Sequence, residues 1–404
     1  MSWGLLPYLV VALVDLGVIL LVLIRRRQLT SAELPNPLDC PLREPWPLVT
    51  AVVPVRNEAE NIEACVRSLL RLEPPLLEIL VVDDGSTDET ISLLEALLHT
   101  EPRVRLLRAD TAMGWSSGKA RALWSGAQQA HGDWLLFTDA DTRHDPGSLY
   151  RVLSWCRKHG VEAFSCGGTY TFPDTATELL ETTLYFMLTL GMPLQRIEDP
   201  EDPLAWINGQ YVLIESAAYR RIGGHQAVAK HISEDMALAR LVKAAKVKLA
   251  FKPRFRAYHC KNYNNVWSAM AGWTRILAMG SPWIGLGRRH FLLSVLILLG
   301  LPMASPFMIP SLLLSSCSLP ACMLAVFLFG SFAGTALGLR HALGLPLWKG
   351  ILWPLGAALA LTVYVRAFVA RFLHGEVVFK GRRAPITAPG SNGGPGSKDD
   401  APKD

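Results

Sequence analysis

Residues 134–144 read WLLFTDADTRH, an apolar run that passes straight into two aspartates, Asp139 and Asp141, with one residue between them. A short apolar run that stops at acids has the pattern of a strand buried on both faces, as in parallel sheets, with its carboxyl end turned to water. The same pattern occurs upstream. Residues 49–55 (VTAVVPV) form a β-branched run, and residues 78–82 (EILVV) form another that ends in Asp83 and Asp84. Between them, Asn57 and Glu60 open the helical stretch NEAENIEACVRSLLRL, and Ser86 with Glu89 has capping-box spacing ahead of ISLLEALL. Residues 104–107 (VRLL) make a third strand, and a helix is expected over 117–131, beginning near Gly118 and Lys119. Strand and helix alternating at this spacing predict an α/β domain with an open, mostly parallel sheet, whose ligands bind beyond the carboxyl ends of the strands. Acidic pairs stand at two of those ends.

The flanks are of another character. The chain has 404 residues, 50% apolar and 19% charged, with a formal net charge of +5 and a mean hydropathy of +0.24. Such a chain has ample core and is not disordered, and its hydropathy argues against an enzyme wholly in water. Residues 5–24 (LLPYLVVALVDLGVILLVLI) are long enough to cross a bilayer, and Arg25, Arg26 and Arg27 follow at once. Basic residues after a first span stay cytosolic, which places the following domain in the cytosol. A cleaved leader would instead carry its basic residues before the apolar run. The expected layout is an N-terminal transmembrane helix (1–27), a proline-rich linker (28–48), a cytosolic catalytic domain (49–258) and an amphipathic interfacial segment (259–290). Transmembrane helices (291–372) and a basic, then disordered, tail (373–404) complete it.

Within that layout, residues 291–339 carry no charge and no histidine, room for two spans returning to the cytosol. Residues 350–365 suit a third span or an interfacial helix. A full third crossing would put Lys380, Arg382 and Arg383 outside, against the positive-inside rule. Residues 266–286 contain three tryptophans and one arginine and suit the headgroup layer, a buried soluble helix being the alternative. The seven cysteines are scattered, with no zinc spacing, and read as reduced and structural.

Two carboxylates at i and i+2 leaving a strand can face one way, and as hard oxygen ligands they suit Mg²⁺ or Mn²⁺ bridging a diphosphate. An isolated D-x-D is common by chance, so solvated turn acids are the plain alternative; the strand-end position favours the metal. Asp83 and Asp84 could accept from a ribose hydroxyl or a base N–H, or could simply face a helix N-terminus. Lys119, in WSSGKARAL, could reach a phosphate, although no P-loop is present. Glu234 and Asp235, after Ser233, fall in a first helical turn, where capping explains one acid easily; a carboxylate held at a pocket edge could instead be the general base that deprotonates an acceptor hydroxyl. No G-x-S-x-G, H-E-x-x-H or G-x-G-x-x-G after a strand occurs, which removes the main support for hydrolase, zinc protease and nicotinamide dehydrogenase. The modest positive charge lies beside the apolar segments and fits membrane topology better than nucleic acid.

Taken together, VVPVRNEAENI (52–62), VVDDGSTDET (81–90), GWSSGKARAL (114–123), LLFTDADTRH (135–144), NGQYVLI (208–214), IGGH (222–225) and ISEDMAL (232–238) resemble the membrane-bound family-2 glycosyltransferases with a GT-A fold. Within that family the GW..GK, DADT.H, NGQY and GGH segments look like those of the hopene-associated and carotenoid, diaponeurosporenoate-type enzymes; the resemblance to ceramide glucosyltransferases is broader and weaker. The resemblance implies that Pro54, Arg56, Glu58, Asp83 and Asp84 hold the nucleoside, that Lys119 and Asp139 contact ribose or diphosphate, and that Asp141, with Asp139, takes the metal. It further implies Asp235 as catalytic base with Glu234 its neighbour, and Gly209 as the point where backbone meets the donor sugar. His144 and His225 are as well explained by packing. The Q-x-x-R-W element of processive synthases is absent; Trp273 and Arg275 would cover the diphosphate in its place. Arg143 stands where some relatives have a further metal ligand.

The resulting expectation is an inverting, metal-dependent glycosyltransferase at the inner (cytoplasmic) membrane. It would move a sugar from a nucleotide-diphosphate donor, UDP-linked, to a lipid such as a terpenoid, carotenoid or hopanoid. A polyprenyl-phosphate or ceramide-type acceptor is the alternative, and a catalytically silent membrane scaffold is a third reading.

Overall fold

The computed structural model of the chain describes residues 46–280 except 74–75, 111–113, 192–193, 254 and 256, residues 319–343, 352–379 and 382–386, and scattered positions within 6–20 and 292–349. Strands β1 (Val49–Val55), β2 (Glu78–Asp83), β3 (Val104–Arg108) and β4 (Trp134–Thr138) run parallel, crossed over by α1 (Ile62–Leu70), α2 (Thr90–Leu98) and α3 (Gly118–Ala127). After β5 (Thr142–His144) and α4 (Ser148–His159) come β6 (Ala163–Cys166), β7 (Thr169–Tyr170), α5 (Thr175–Gly191), α6 (Leu194–Glu198), β8 (Tyr211–Glu215) and α7 (Ser216–Arg221). Then follow α8 (Glu234–Ala244), β9 (Leu249–Lys252), β10 (Tyr258–Cys260) and α9 (Val266–Gly280). The seven-stranded sheet has the order β3-β2-β1-β4-β8-β6-β9, and within it only β8 runs against its neighbours. A small sheet, β5-β10-β7, continues from the carboxyl end of β4.

The period-2 alternation of the strands builds two apolar layers. Ala51, Val53, Val81 and Leu136 face α1, α2 and α4 on one side; Val52, Val82, Leu135 and Phe137 face α3 and α8 on the other. Burying one of the valine, leucine or phenylalanine side chains among them contributes about 1.5–3 kcal/mol. Helix α1 starts at Ile62, later than the sequence pattern suggests. Asn57 sits in the left-handed region at φ 58°, and the Glu58 carbonyl already accepts the N–H groups of Asn61 and Ile62. The expected Ser86–Glu89 capping box does not form either: the Ser86 hydroxyl accepts from the Asn57 N–H, and Glu89 caps α2 without a side-chain bond.

A third apolar layer lies outside the sheet sandwich. Helix α5 packs against α9 and α11 (Trp353–Val369), burying Leu180, Leu184, Met270, Trp273, Ala357, Ala360 and Ala367 together. The small residues of α11 permit a close approach: a Cβ on Gly356 would lie 2.6 Å from both the Leu179 carbonyl and the Thr183 hydroxyl. Lys349 pairs with Glu178 beside this contact. The segment read as a third span or an interfacial helix is therefore a helix docked on α5 and α9. With its continuation to His374 it is, among the described residues, the one helix long and apolar enough to cross a membrane. Transmembrane helices at both termini thus go beyond what the described residues establish. Near the N-terminus, Val11 and Ala12 pack with Leu328 of α10 (Leu319–Leu343). A hairpin of β11 (Glu376–Phe379) and β12 (Arg382–Pro385) closes the described chain. The expected linker before residue 46, most of 291–318 and the tail after 386 lie outside the described residues. Cys65, Cys156, Cys166 and Cys260 are buried free thiols, and Cys322 is free as well.

Candidate active site

The turn after β4 is set by hydroxyl groups. Thr142 donates to the Asp139 carbonyl at 2.8 Å, and Thr138 donates to the Gln210 carbonyl at 2.8 Å, which ties the Asp139–Asp141 turn to the loop before β8. His144 Nε2 lies 3.1 Å from both hydroxyls, and burial presses its pKa down to about 3. It is a neutral packing residue of the turn.

Lys119 is the hub of the site. Ser117 caps α3 by accepting the Ala120 N–H, which fixes the first turn that carries Lys119. The Lys119 ammonium sits 2.6 Å from Asp139 and 3.6 Å from Glu234, which opens α8. Burial alone would lower its pKa; Asp139 and Glu234 more than offset that and hold it above the ordinary lysine range. Asp235 stands beside Glu234 with one oxygen on the Met236 N–H at 2.8 Å. Gly209 completes the group, since a Cβ there would come within 3.2 Å of Lys119 Nζ and 3.4 Å of Asp235 Oδ2. Four chain segments thus bring Asp139, Lys119, Gly209, Glu234 and Asp235 to one place.

Acids crowded in a buried site resist ionisation. Burial raises Glu234 to about 7, with Lys119 pulling it back and Asp235 pushing it further. Asp235 is raised by burial and eased by Lys119, and Arg275 is near enough to lower it as well. Asp141 rises to about 7 through burial and then through Asp139 and Glu58. Its Oδ1 is buried without a hydrogen-bond partner, an acceptor oxygen held ready for a cation or donor. Among the described residues no three acidic, histidine or cysteine side chains converge into a closed metal cage. Two carboxylates with an unpartnered oxygen fit a hard divalent ion that completes its shell with water and phosphate oxygens.

At the neighbouring strand end, Asp83 spends both oxygens on the turn, accepting the Gly85 N–H at 3.1 Å and the Ser86 N–H at 2.9 Å. Asp84 is instead held by the Arg121 guanidinium, with Arg56 3.7 Å away. Gly118 lets this carboxylate pass, because a Cβ there would collide with Asp84 Oδ2. The Arg56 side chain is mostly exposed, Pro54 is half-buried, and Glu58 accepts from the Asn61 amide at 3.0 Å. Trp273 and Arg275 part company on α9. The Trp273 ring is buried edge-on against Tyr185, near enough to Glu181 to ease its carboxyl, whereas Arg275 is close enough to act on Asp235. His225 is buried, its ring against Phe137 and its Nδ1 2.8 Å from the Tyr219 hydroxyl.

Sequence reasoning missed Arg121, Gln210, Asn262 and Glu181. Arg121 follows Lys119 by two positions on α3, so the two cannot share a face, and nothing local links it to Asp84. The other three are joined only by contacts between segments far apart in sequence.

Residues 50–207 match the family model described as glycosyl transferase family 2, and residues 134–380 match glycosyl transferase family group 2. The chain is 24% identical over 237 residues to a 4,4'-diaponeurosporenoate glycosyltransferase of Staphylococcus aureus (strain bovine RF122 / ET3-1), a match covering 58% of this chain and 61% of that protein. It is 25% identical over 127 residues to the uncharacterized glycosyltransferase YibD of Escherichia coli (strain K12), covering 31% of this chain and 36% of the other. In fold it is similar to the mannosyltransferase PcManGT from Pyrobaculum calidifontis, solved in complex with GDP-Man and Mn²⁺. The TM-score is 0.50 at 20% identity, over 90% of this chain and 99% of that one. With the second family model spanning more than half its length, the chain belongs to the family-2 glycosyltransferases.

Proposed function

We propose that the enzyme transfers a sugar from a nucleotide-diphosphate donor, UDP-linked, to a membrane lipid with inversion at the anomeric carbon, from a catalytic unit spanning 49–258 that faces the cytosol at the inner membrane. The observation that carries this reading is the Lys119 cluster, a cation touching Asp139 on one side and Glu234 on the other, with Asp235 and Gly209 beside it. The acceptor oxygen bonds to the anomeric carbon while the bond from that carbon to the diphosphate oxygen breaks. Asp235 takes the acceptor proton, and burial, which raises its pKa above the ordinary carboxylate range, makes it the stronger base for that step. Lys119 meets the charge that develops on the departing diphosphate. Gly209 leaves room for the sugar between Lys119 and Asp235, and Glu234 keeps Lys119 placed.

Asp139 and Asp141 would hold a divalent cation, Mg²⁺ or Mn²⁺, which when bound supplies further positive charge at the diphosphate. At the next strand end, Pro54, Arg56, Glu58, Asp83 and Asp84 would receive the nucleoside, Asp83 by shaping its turn. The name of the diaponeurosporenoate relative and the GDP-Man and Mn²⁺ of the mannosyltransferase complex support a nucleotide-sugar donor, a lipid acceptor and a metal. The lipid side is supported by the α5–α9–α11 layer and by exposed apolar side chains on it, among them Trp267, Leu355 and Val365. Arg275 near Asp235 favours an acceptor that carries an anion, a carboxylate or a phosphate.

The test is Asp235→Asn in the purified full chain, assayed for transfer from radiolabelled UDP-glucose to extracted lipids with Mn²⁺ present. The expected loss is about 100-fold or more, with nucleotide binding kept. Transfer at the wild-type rate would remove Asp235 as base, and a rate indifferent to chelation would remove the metal.

A further inference from the structure

On either side of Gly209, Asn208 and Gln210 enter a largely half-buried polar chain that the transfer chemistry does not use. Glu181, on α5 and 1% exposed, accepts at Oε2 from the Asn262 amide at 3.0 Å. The same Asn262 nitrogen reaches the Tyr185 hydroxyl at 3.0 Å, so its two hydrogens are spent. Asn262 Oδ1 must then accept, and it does, from Gln210 Nε2 at 2.9 Å. That in turn points Gln210 Oε1 at Tyr258 and Tyr170, whose hydroxyls lie 3.1 and 3.4 Å away. The Tyr258 hydroxyl accepts from the Asn208 amide at 2.8 Å, and Asn208 Oδ1 accepts the Gln210 backbone N–H at 3.2 Å.

Each amide in this chain has one orientation, because reversing any of them would set oxygen against oxygen and nitrogen against nitrogen. Glu181 is the one member with no amide to reverse: ionised, it only accepts, and since burial raises its pKa to about 7 it fixes the polarity above that pH. We propose that Glu181 is a positioning residue for the Asn208–Gly209–Gln210 loop: through Asn262 and Gln210 it fixes the polarity of the hydrogen bonds that hold this backbone between Lys119 and Asp235. The inference rests on the reading of Gly209 as the backbone that meets the donor sugar. It gives α5, which belongs to the outer apolar layer, a hold on the site through two intervening side chains.

The polarity of the relay supplies its own test. Asn262→Asp sets two carboxyl groups face to face and, read above about pH 8 where both are ionised, leaves Glu181 without a donor and breaks the chain. Adding Glu181→Gln restores a donor facing an acceptor, with the sense of that one bond reversed and the link to Gln210 kept. Two readouts are taken on the full chain in detergent micelles: amide hydrogen exchange of the peptide covering 205–213, and UDP release from UDP-glucose with Mn²⁺ and water as acceptor. In Asn262→Asp the expected result is exchange about tenfold faster and UDP release about tenfold slower, with both returning to within about threefold of wild type in the double variant. Glu181→Gln alone, which can still accept from Asn262, stays within about threefold of wild type. Should Asn262→Asp fail to fold, a folded double variant with wild-type exchange supports the proposal equally. A double variant no better than Asn262→Asp, or an Asn262→Asp chain with unchanged exchange, overturns the proposal. A wild-type chain that releases no UDP while the exchange pattern holds would instead remove the donor reading and leave the relay standing.

Discussion

His225 illustrates how one residue in a motif can look like chemistry and prove to be packing. The Tyr219 hydroxyl accepts the His225 backbone N–H at 3.0 Å and so donates to the ring Nδ1, which must be unprotonated. Burial, and then the Lys119 charge, press the ring down to about 3, and the folded protein keeps it neutral. For a base whose folded pKa lies below its unfolded value, the unfolded chain takes the proton first. The stability contributed is therefore present above about pH 6.5 and lost as pH falls toward the folded value. Between pH 6.5 and 5.0 the wild type should lose about 2 kcal/mol more than His225→Gln, read from urea midpoints at each pH. Parallel slopes for the two proteins would show that the ring is not a buried neutral base.

At the scale of elements, the contact of α11 with α5 turns on small residues. Gly356→Leu would drive a branched side chain into the Leu179 carbonyl and the Thr183 hydroxyl and cost about 1–3 kcal/mol, while Gly356→Ala would cost less. The expected signs are a lower melting midpoint and faster proteolysis within α11; an unchanged midpoint in Gly356→Leu would mean that the helices are not closely packed. This pair also marks where the sequence stops being legible. Strands β1 and β4 declare themselves locally, since β-branched or apolar runs buried on both faces have no other reading of that length. Asp139, Lys119 and Asp235 are legible for a related reason, standing at a strand end or in a first helical turn where local pattern fixes their place. The start of α1 is not, because Asn57 and the Glu58 turn are organised by Ser86 and Thr87 of the next loop and by Thr90 at the start of α2. Nor is the role of Glu181, whose partner Asn262 belongs to a segment that follows β8, β9 and β10.

For the whole molecule, what matters is that the outer layer has two unlike faces. Its inner face reaches the site, through Glu181 on α5 and Arg275 on α9. Its outer face leaves Leu355, Val365 and Leu373 exposed along α11 and its continuation, with Trp267 at the start of α9. Exposed apolar surface of this kind on a folded protein marks a contact with a partner or with lipid. If lipid covers it, the face brings a water-insoluble acceptor to a site whose donor comes from water, and the two halves of the reaction become separable by mutation. Leu355→Ser, Val365→Ser and Leu373→Ser combined should lower transfer to vesicle-embedded lipid about tenfold while leaving UDP release to water within about twofold of wild type, because none of these side chains touches Lys119 or Asp235. Flotation with vesicles is a poor readout, since α10 and the N-terminal helix also carry apolar surface; the ratio of lipid product to released sugar isolates the face. An unchanged ratio would assign the exposed side chains to something other than acceptor delivery.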